Sequence, residues 1–219
     1  LKIRGLNGIF FISMSPKSAE ANVKTYHAQL QGLIHLLKSF DNIELAPHIH
    51  ACGLPMEFST SSDQFGSYSY DQRVELLSYA KEFFSQCGVK VKTFRAGGFI
   101  NGENYYHALH ASGYKASSTL EKLAPPVIDM LQSVLSPNHP RLENPGIMEY
   151  PVTSVWLRSI KRKYELINLS PDFLTLESVK HSIQELDYIN VNFHSFSMYS
   201  NRLIRENHHN LYSNNLQYL

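Results

Sequence analysis

The chain has 219 residues, 43% of them hydrophobic, enough for one substantial core, and a single domain over 1–219 is the expectation. Its 20 basic and 19 acidic residues leave a net charge of +1, so there is no basic field to hold a nucleic-acid backbone. No apolar run approaches the roughly 20 residues of a membrane-spanning helix, and two cysteines, Cys52 and Cys87, are too few for a disulfide framework and read as reduced thiols or small buried residues.

The opening LKIRGLNG reads as the tail of a helix and a Gly turn, as though the chain began mid-fold; no signal peptide is visible, which favours the cytoplasm. Ile9 to Ser13 (IFFIS) follows Gly8 and predicts a buried strand. Pro16 and Ser18 then open a helix with Leu30, Leu33, Leu36 and Leu37 as its apolar face, ended by Asp41-Asn42. Ile43 to Ala46 predicts a second strand that runs straight into Pro47 and His48. Residues 53–70 read as a long polar loop carrying several aromatics, and a loop of that length in a compact domain usually serves function. Asp71 is expected to cap a helix lined by Val74, Leu77, Ala80, Phe83 and Phe84 and stopped by Gly88. Val89 to Phe94 alternates as a strand and delivers Arg95. A Gly pair follows, then a helix near Glu103 to Ser112, then a strand or loop over 114–119. Residues 120–146, rich in proline, read as loop, and Ile147 to Val152 as extended. Helical pattern returns after Leu174, with Leu176, Val179, Ile183 and Leu186; Tyr188 to Phe193 is the last predicted strand and ends on His194. This alternation predicts an α/β fold on a parallel sheet, open or closed into a barrel. Active sites of such sheets form at the carboxyl ends of the strands.

Three polar signals fall at those ends. His48 and His50 are spaced two apart after a strand, so their imidazoles project to one side and can grip one cation. The alternative is two hydrogen-bonded or surface histidines in a chain that has 11; position at a strand end favours the metal. Cys52 is a further candidate ligand, though more readily a small packed residue. Arg95-Ala96-Gly97-Gly98 offers a guanidinium to hold a carboxylate and glycine N–H groups for an oxyanion; the alternative is a tight turn with a surface ion pair. His194, at the mouth of a strand, can act as a general acid or be a core histidine bonded to backbone. The run Arg158 to Lys163 reads as a solvated helix face, His208-His209 as solvated, and Asp172 as structural. Trp156, Phe58, Phe65, Tyr68 and Tyr70 either stack on sugar rings or pack. No GxGxxG, P-loop, GxSxG or HExxH motif occurs.

Taken in order, IFFISMS, IELAPHIHACGLP, KTFRAGGFINGENYYHALHASGYKASST, IMEYPVT and INVNFHSFSMY resemble the polysaccharide deacetylase family, the NodB-homology or carbohydrate esterase 4-like enzymes. The resemblance implies a distorted (β/α) barrel of about seven strands, lacking its first strand in this chain. It implies an enzyme that removes N- or O-acetyl groups from a polysaccharide or glycolipid-linked sugar with a divalent metal, most often Zn2+. His48 and His50 would bind the metal, and a water activated by it would attack the acetyl carbonyl. The metal and the Gly98 amide would stabilise the oxyanion, His194 would protonate the leaving group, and Arg95 would orient the carboxylate base. The chain departs from the family in three ways. A single residue separates the histidines, as in a variant subgroup associated with cell-surface polysaccharide gene clusters. Ala96 replaces the proline after the arginine. The Asp-Asp pair of the first strand, which supplies the base and one ligand, would lie before IFFIS, where eight residues stand. Truncation upstream is the expectation. The alternatives are an inactive carbohydrate-binding homologue and another metal-dependent hydrolase on a similar barrel. The expected partner is a carbohydrate, with no nucleic acid and no transmembrane segment.

Overall fold

A computed structural model describes residues 8–15, 23–50, 53–58, 65–97, 103–119, 139–158, 164–169 and 188–191. The chain divides into two compact units, residues 1–120 with 141–149, and residues 121–140 with 150–219.

The first unit is built on a six-stranded sheet flanked by helices, the α/β arrangement that the alternating sequence predicts. Its strands are β1 (Gly8–Ser13), β2 (Ile43–Ile49), β3 (Thr93–Ala96), β4 (Ala116–Ser117), β5 (Arg141–Glu143) and β6 (Ile147–Glu149), in the order β1-β2-β3-β4-β6-β5. All neighbours are parallel except β5, which runs antiparallel to β6. Among the described residues the sheet is an open row with β1 and β5 at its edges. The helices are α1 (Val23–Leu37), α2 (Tyr70–Gln86) and α3 (Tyr105–Ala111).

Register and the period of two assign every strand residue to a face. Ser13 pairs with His48, His48 with Arg95, Thr93 with Ala116, and Ala116 with Met148, so these side chains share one face. Ile12, Leu45, Ile49, Phe94, Ala96 and Ile147 alternate onto the other and join the buried core. Leu76, Leu77, Ala80, Phe83 and Phe84 of α2 and Ala108 and Leu109 of α3 belong to that same core. Phe94 lies at its centre, with ring centroids 5.3 Å from Phe65, 5.7 Å from Tyr114 and 6.3 Å from Tyr105. The sheet thus has a largely apolar face under the helices and a more polar face opposite, where Ser13, Glu44, His48, Thr93 and Arg95 stand beside Ile9, Phe11 and Ala46.

Several local expectations are corrected. The buried stripe of α1 is Leu30, Ile34 and, in part, Leu37, whereas Leu33 and Leu36 are 43% and 62% exposed. At about 100° per residue, Ile34 and Leu37 lie within about 40° of Leu30 while Leu36 is about 120° away. The N-cap of α2 is Ser69 rather than Asp71. Its hydroxyl accepts from the Gln72 N–H (3.3 Å) and the Gln72 side chain accepts from the Ser69 N–H (3.0 Å), a reciprocal capping box. The strand expected from Val89 begins at Thr93, and β2 extends past Ala46 to Ile49, which places His48 within it. The end of the proline-rich stretch forms β5, joined to β6 by a turn in which Gly146 has φ +107°. The aromatics of the 53–70 segment divide: Phe65 and Tyr68 are buried, and Tyr70 is 41% exposed.

The second unit contains β7 (Ser154–Arg158) and β8 (Tyr164–Asn168), an antiparallel pair with Ser154 opposite Asn168. Arg158 therefore closes a strand and not a helix. Residues 188–191 are not in a regular strand. Asn190 is held to the segment before β7, its N–H donating to the Thr153 hydroxyl (2.8 Å) and its carbonyl accepting from the Thr153 N–H (3.1 Å). Among the described residues no helix is long and apolar enough to cross a membrane.

Candidate functional site

His48 is the penultimate residue of β2 and His50 follows the strand, so the two-residue spacing carries both rings toward the polar face. Their Nε2 atoms approach to 3.0 Å, with the rings nearly perpendicular at 88°. Two zinc–nitrogen bonds of about 2.0–2.1 Å in a tetrahedral shell set their nitrogens about 3.3 Å apart. The pair is therefore close to the geometry of two ligands on one ion.

The tautomer of His48 follows from its partner. Its Nδ1 lies 3.2 Å from the Arg95 carbonyl oxygen, which can only accept. Nδ1 therefore carries the proton and Nε2 presents its lone pair, the outer support common to metal-binding histidines. The 3.0 Å contact is then a donation from the His50 Nε2–H to His48 Nε2. For the pair to hold a cation through both Nε2 lone pairs, that hydrogen bond would have to break and the His50 proton would sit on Nδ1.

The backbone carrying the pair is clamped by the segment after β1. The Met14 N–H donates to the His48 carbonyl (3.0 Å), and the buried Ser15 hydroxyl donates to the His50 carbonyl. That segment is in turn held by α1. Tyr26 donates to the Ser13 carbonyl (2.7 Å), and His27 Nε2 donates to the Met14 carbonyl (3.1 Å) while its Nδ1 accepts from the Tyr79 hydroxyl (3.2 Å). Desolvation raises the pKa of both tyrosines and keeps their hydroxyls protonated as donors. On the other side, Gly97 lies directly against the His50 ring: a Cβ there would stand 2.8 Å from Nδ1.

Arg95 is beside His48 in register and 6% exposed, so it is not a surface turn residue. Its Nε donates to the Ser118 carbonyl and its Nη2 to the Ser118 hydroxyl, each at 2.8 Å, and the guanidinium lies 3.9 Å over the Phe11 ring. Of the predicted site residues the structure thus brings together His48, His50 and Arg95. Gly98 and His194 lie outside the described residues, as do Cys52, Asp172 and the His208-His209 pair. Among the described residues no group of three or more His, Cys, Asp or Glu side chains is placed to hold a metal ion. The histidine pair accordingly fits a metal as part of a shell and not as the whole of it.

Sequence reasoning passed over a second polar cluster, on the helix side of the sheet. Glu149 ends β6, is fully buried, and pairs with Ser117, which assigns it to the face opposite His48. Its carboxylate accepts from the Thr119 N–H (2.8 Å) and the Tyr106 hydroxyl (3.4 Å). The Tyr105 hydroxyl lies 2.9 Å from Ser117 Oγ and 2.6 Å from Thr119 Oγ1. Burial, reinforced by the Glu149 charge, pushes the ionisation of Tyr105 and Tyr106 far up. The signal in the sequence was an acidic residue in phase with Ile147, a buried position of a strand.

A separate groove of about 420 Å³ runs between α1 and α2, lined by His27, Gln31, Tyr79, Glu82, Phe83 and Gln86, and contains none of the predicted site residues. No family model matches the chain, no curated protein matches it, and no solved structure matches it.

Proposed function

We propose that this chain is a metal-dependent deacetylase acting on N- or O-acetylated sugars of a polysaccharide or glycolipid, with the H-x-H pair as its metal ligands. The observation that carries the reading is the convergence of His48 Nε2 and His50 Nε2 to 3.0 Å at the carboxyl end of a parallel strand, with the His48 tautomer fixed by the Arg95 carbonyl. The polar face on which Ser13, His48, Thr93 and Arg95 lie supports the barrel of this reading, since that face would line its interior. So does β1, whose Ile9 and Phe10 are 44% and 36% exposed at the edge where a further strand would pair.

A bound divalent ion, zinc in the first instance, would supply Lewis acidity toward the acetyl carbonyl and lower the pKa of the attacking water. His48 and His50 would hold it. Arg95, adjacent in register, would orient a carboxylate base brought to the site, and the Gly98 N–H would donate to the oxyanion. His194 would give its proton to the departing sugar nitrogen or oxygen.

The test is release of acetate from acetylated amino sugars and their oligomers by the protein loaded with zinc or cobalt. Release abolished by a chelator and restored by metal is the expected result. Metal loading without acetate release from any acetylated saccharide would sink the deacetylase reading while leaving the metal centre standing.

A further inference from the structure

We infer that Thr119 is a positioning residue for the histidine pair, acting through the end of β3; the inference rests on the reading of His48 and His50 as metal ligands. The lone pair that His48 offers exists because its Nδ1–H is donated to the Arg95 carbonyl. That carbonyl belongs to a strand of four residues, paired to β2 over two positions and to a β4 of only two. So short a ladder leaves the end of β3 needing other anchors.

The residues that continue β4 supply them. The Ser118 N–H donates to the Phe94 carbonyl (3.0 Å), and Ser118 then accepts the Arg95 guanidinium through its carbonyl and hydroxyl. The Ala96 N–H, the next along β3, donates to Thr119 Oγ1 at 2.9 Å, so a side chain takes the place of a ladder carbonyl. The Ala96 N–H belongs to the same peptide group as the Arg95 carbonyl, and what fixes one fixes the other. Thr119 is itself fixed on both sides. Its N–H donates to Glu149 Oε1 (2.8 Å), and its hydroxyl is 2.6 Å from the Tyr105 hydroxyl, which reaches Ser117 Oγ at 2.9 Å. The run from Ala96 N–H through Thr119, Tyr105 and Ser117 lets each hydroxyl both accept and donate, an arrangement in which hydrogen bonds reinforce one another.

Thr119, Tyr105, Ser117 and Glu149 are each 2% exposed or less, on the sheet face opposite His48. None is placed to touch a metal or a substrate there. A fully buried carboxylate is costly unless it is held by donors, and Glu149 is accounted for by keeping Thr119 in place.

The test compares the wild-type chain with Thr119→Val, which keeps the shape and removes the acceptor, and with Thr119→Ser, which restores it. In metal-free protein labelled with ¹⁵N-histidine, wild type and Thr119→Ser are expected to show His48 as the Nδ1–H tautomer, and Thr119→Val a mixture of tautomers. Zinc affinity, measured by competition with a chromogenic chelator, is expected to fall about tenfold in Thr119→Val and to stay within twofold of wild type in Thr119→Ser. A cooperatively folding Thr119→Val with the wild-type His48 tautomer and zinc affinity overturns the inference, as does a wild-type His48 protonated on Nε2. If Thr119→Val does not fold, Thr119→Ala, which also removes the acceptor, replaces it and is expected to shift the tautomer the same way; no shift overturns the inference equally. A wild-type chain that binds no zinc disposes of the metal reading, and the tautomer comparison still decides the role of Thr119.

Discussion

Substituting Gly97 by alanine tests the packing behind the histidine pair with one methyl group. An added Cβ would stand 2.6 Å from the Ile49 carbonyl oxygen, 2.8 Å from His50 Nδ1 and 2.9 Å from His50 Cγ, against 3.4 Å for ordinary contact. The carbonyl must therefore yield by about 0.8 Å and the ring by about 0.6 Å. The carbonyl belongs to β2, held between β1 and β3, so relief needs the segment carrying Gly97 to back away as well as the His50 ring to shift. Gly97 is not among the glycines with positive φ, so alanine meets no conformational penalty there and the effect is steric. Stiffening of the unfolded chain returns about 0.4–1 kcal/mol against an overpacking cost of about 1–3 kcal/mol. The net expectation is a loss of about 1–2 kcal/mol in urea unfolding followed by circular dichroism. Because that shift disturbs the placement of the His50 ring beside His48, zinc affinity is expected to fall as well, by tenfold or more. A Gly97→Ala protein as stable as wild type and binding zinc equally would refute the close packing and its link to the site.

Three further outcomes are expected. His48→Ala and His50→Ala should each lower bound zinc measured by elemental analysis, and unchanged stoichiometry would remove them as ligands; His194→Ala should cut acetate release while leaving the metal bound. Tyr105 and Tyr114 are buried and their folded pKa values are raised, so the stability they contribute is fully present below about pH 10 and is lost as pH climbs toward the folded values; the part of the 295 nm absorbance change that disappears in Tyr105→Phe or Tyr114→Phe should appear only with unfolding, and a difference from wild type at about pH 10 in the native protein would contradict the burial. Ile34→Ala should cost about 2–5 kcal/mol and Leu36→Ala less than about 0.5 kcal/mol, since Ile34 is fully buried and Leu36 is 62% exposed; equal effects would reassign the inner face of α1.

The fold was legible where one signal sufficed. IFFIS, IELA and the alternation of helix with strand gave the parallel α/β sheet, because apolar runs bounded by Gly and Pro have few other uses. The inner face of α1 was missed because its leucines outnumber the stripe they belong to, and Ile34, in phase with Leu30, is what marks the core side. Strand β5 was missed because proline and charge mask it; its pairing is set by β6 and a glycine turn rather than by its own pattern. Of the site, the H-x-H spacing and its strand-end position were readable from the period of two. The supports were not: Ser15, Ser118 and Thr119 act across hydrogen bonds between residues 23 to 35 apart in sequence, and no local pattern encodes such a partner.

The same parity argument decides which carboxylate could complete the site. The sheet strands carry three: Glu44, Glu143 and Glu149. Glu149 is the most deeply buried and the natural suspect, but it is in phase with Ser117 and Phe94 and so projects beneath the helices, away from His48. A one-residue shift of β6 would bring it to the polar face, and would also move Ile147 out of the core. Glu44 is on the correct face but four residues before His48, about 13 Å along the strand, and it accepts a hydrogen bond from Thr93. Glu143 is on the edge strand beyond β6, tied to Arg141 at 2.5 Å. On the proposed reading, the base and remaining ligand would reach the polar face at the level of Ser13 and His48 from outside these six strands. Beside β1, the strand edge that exposes Ile9 and Phe10, a carboxylate would have the shortest path to the histidine pair.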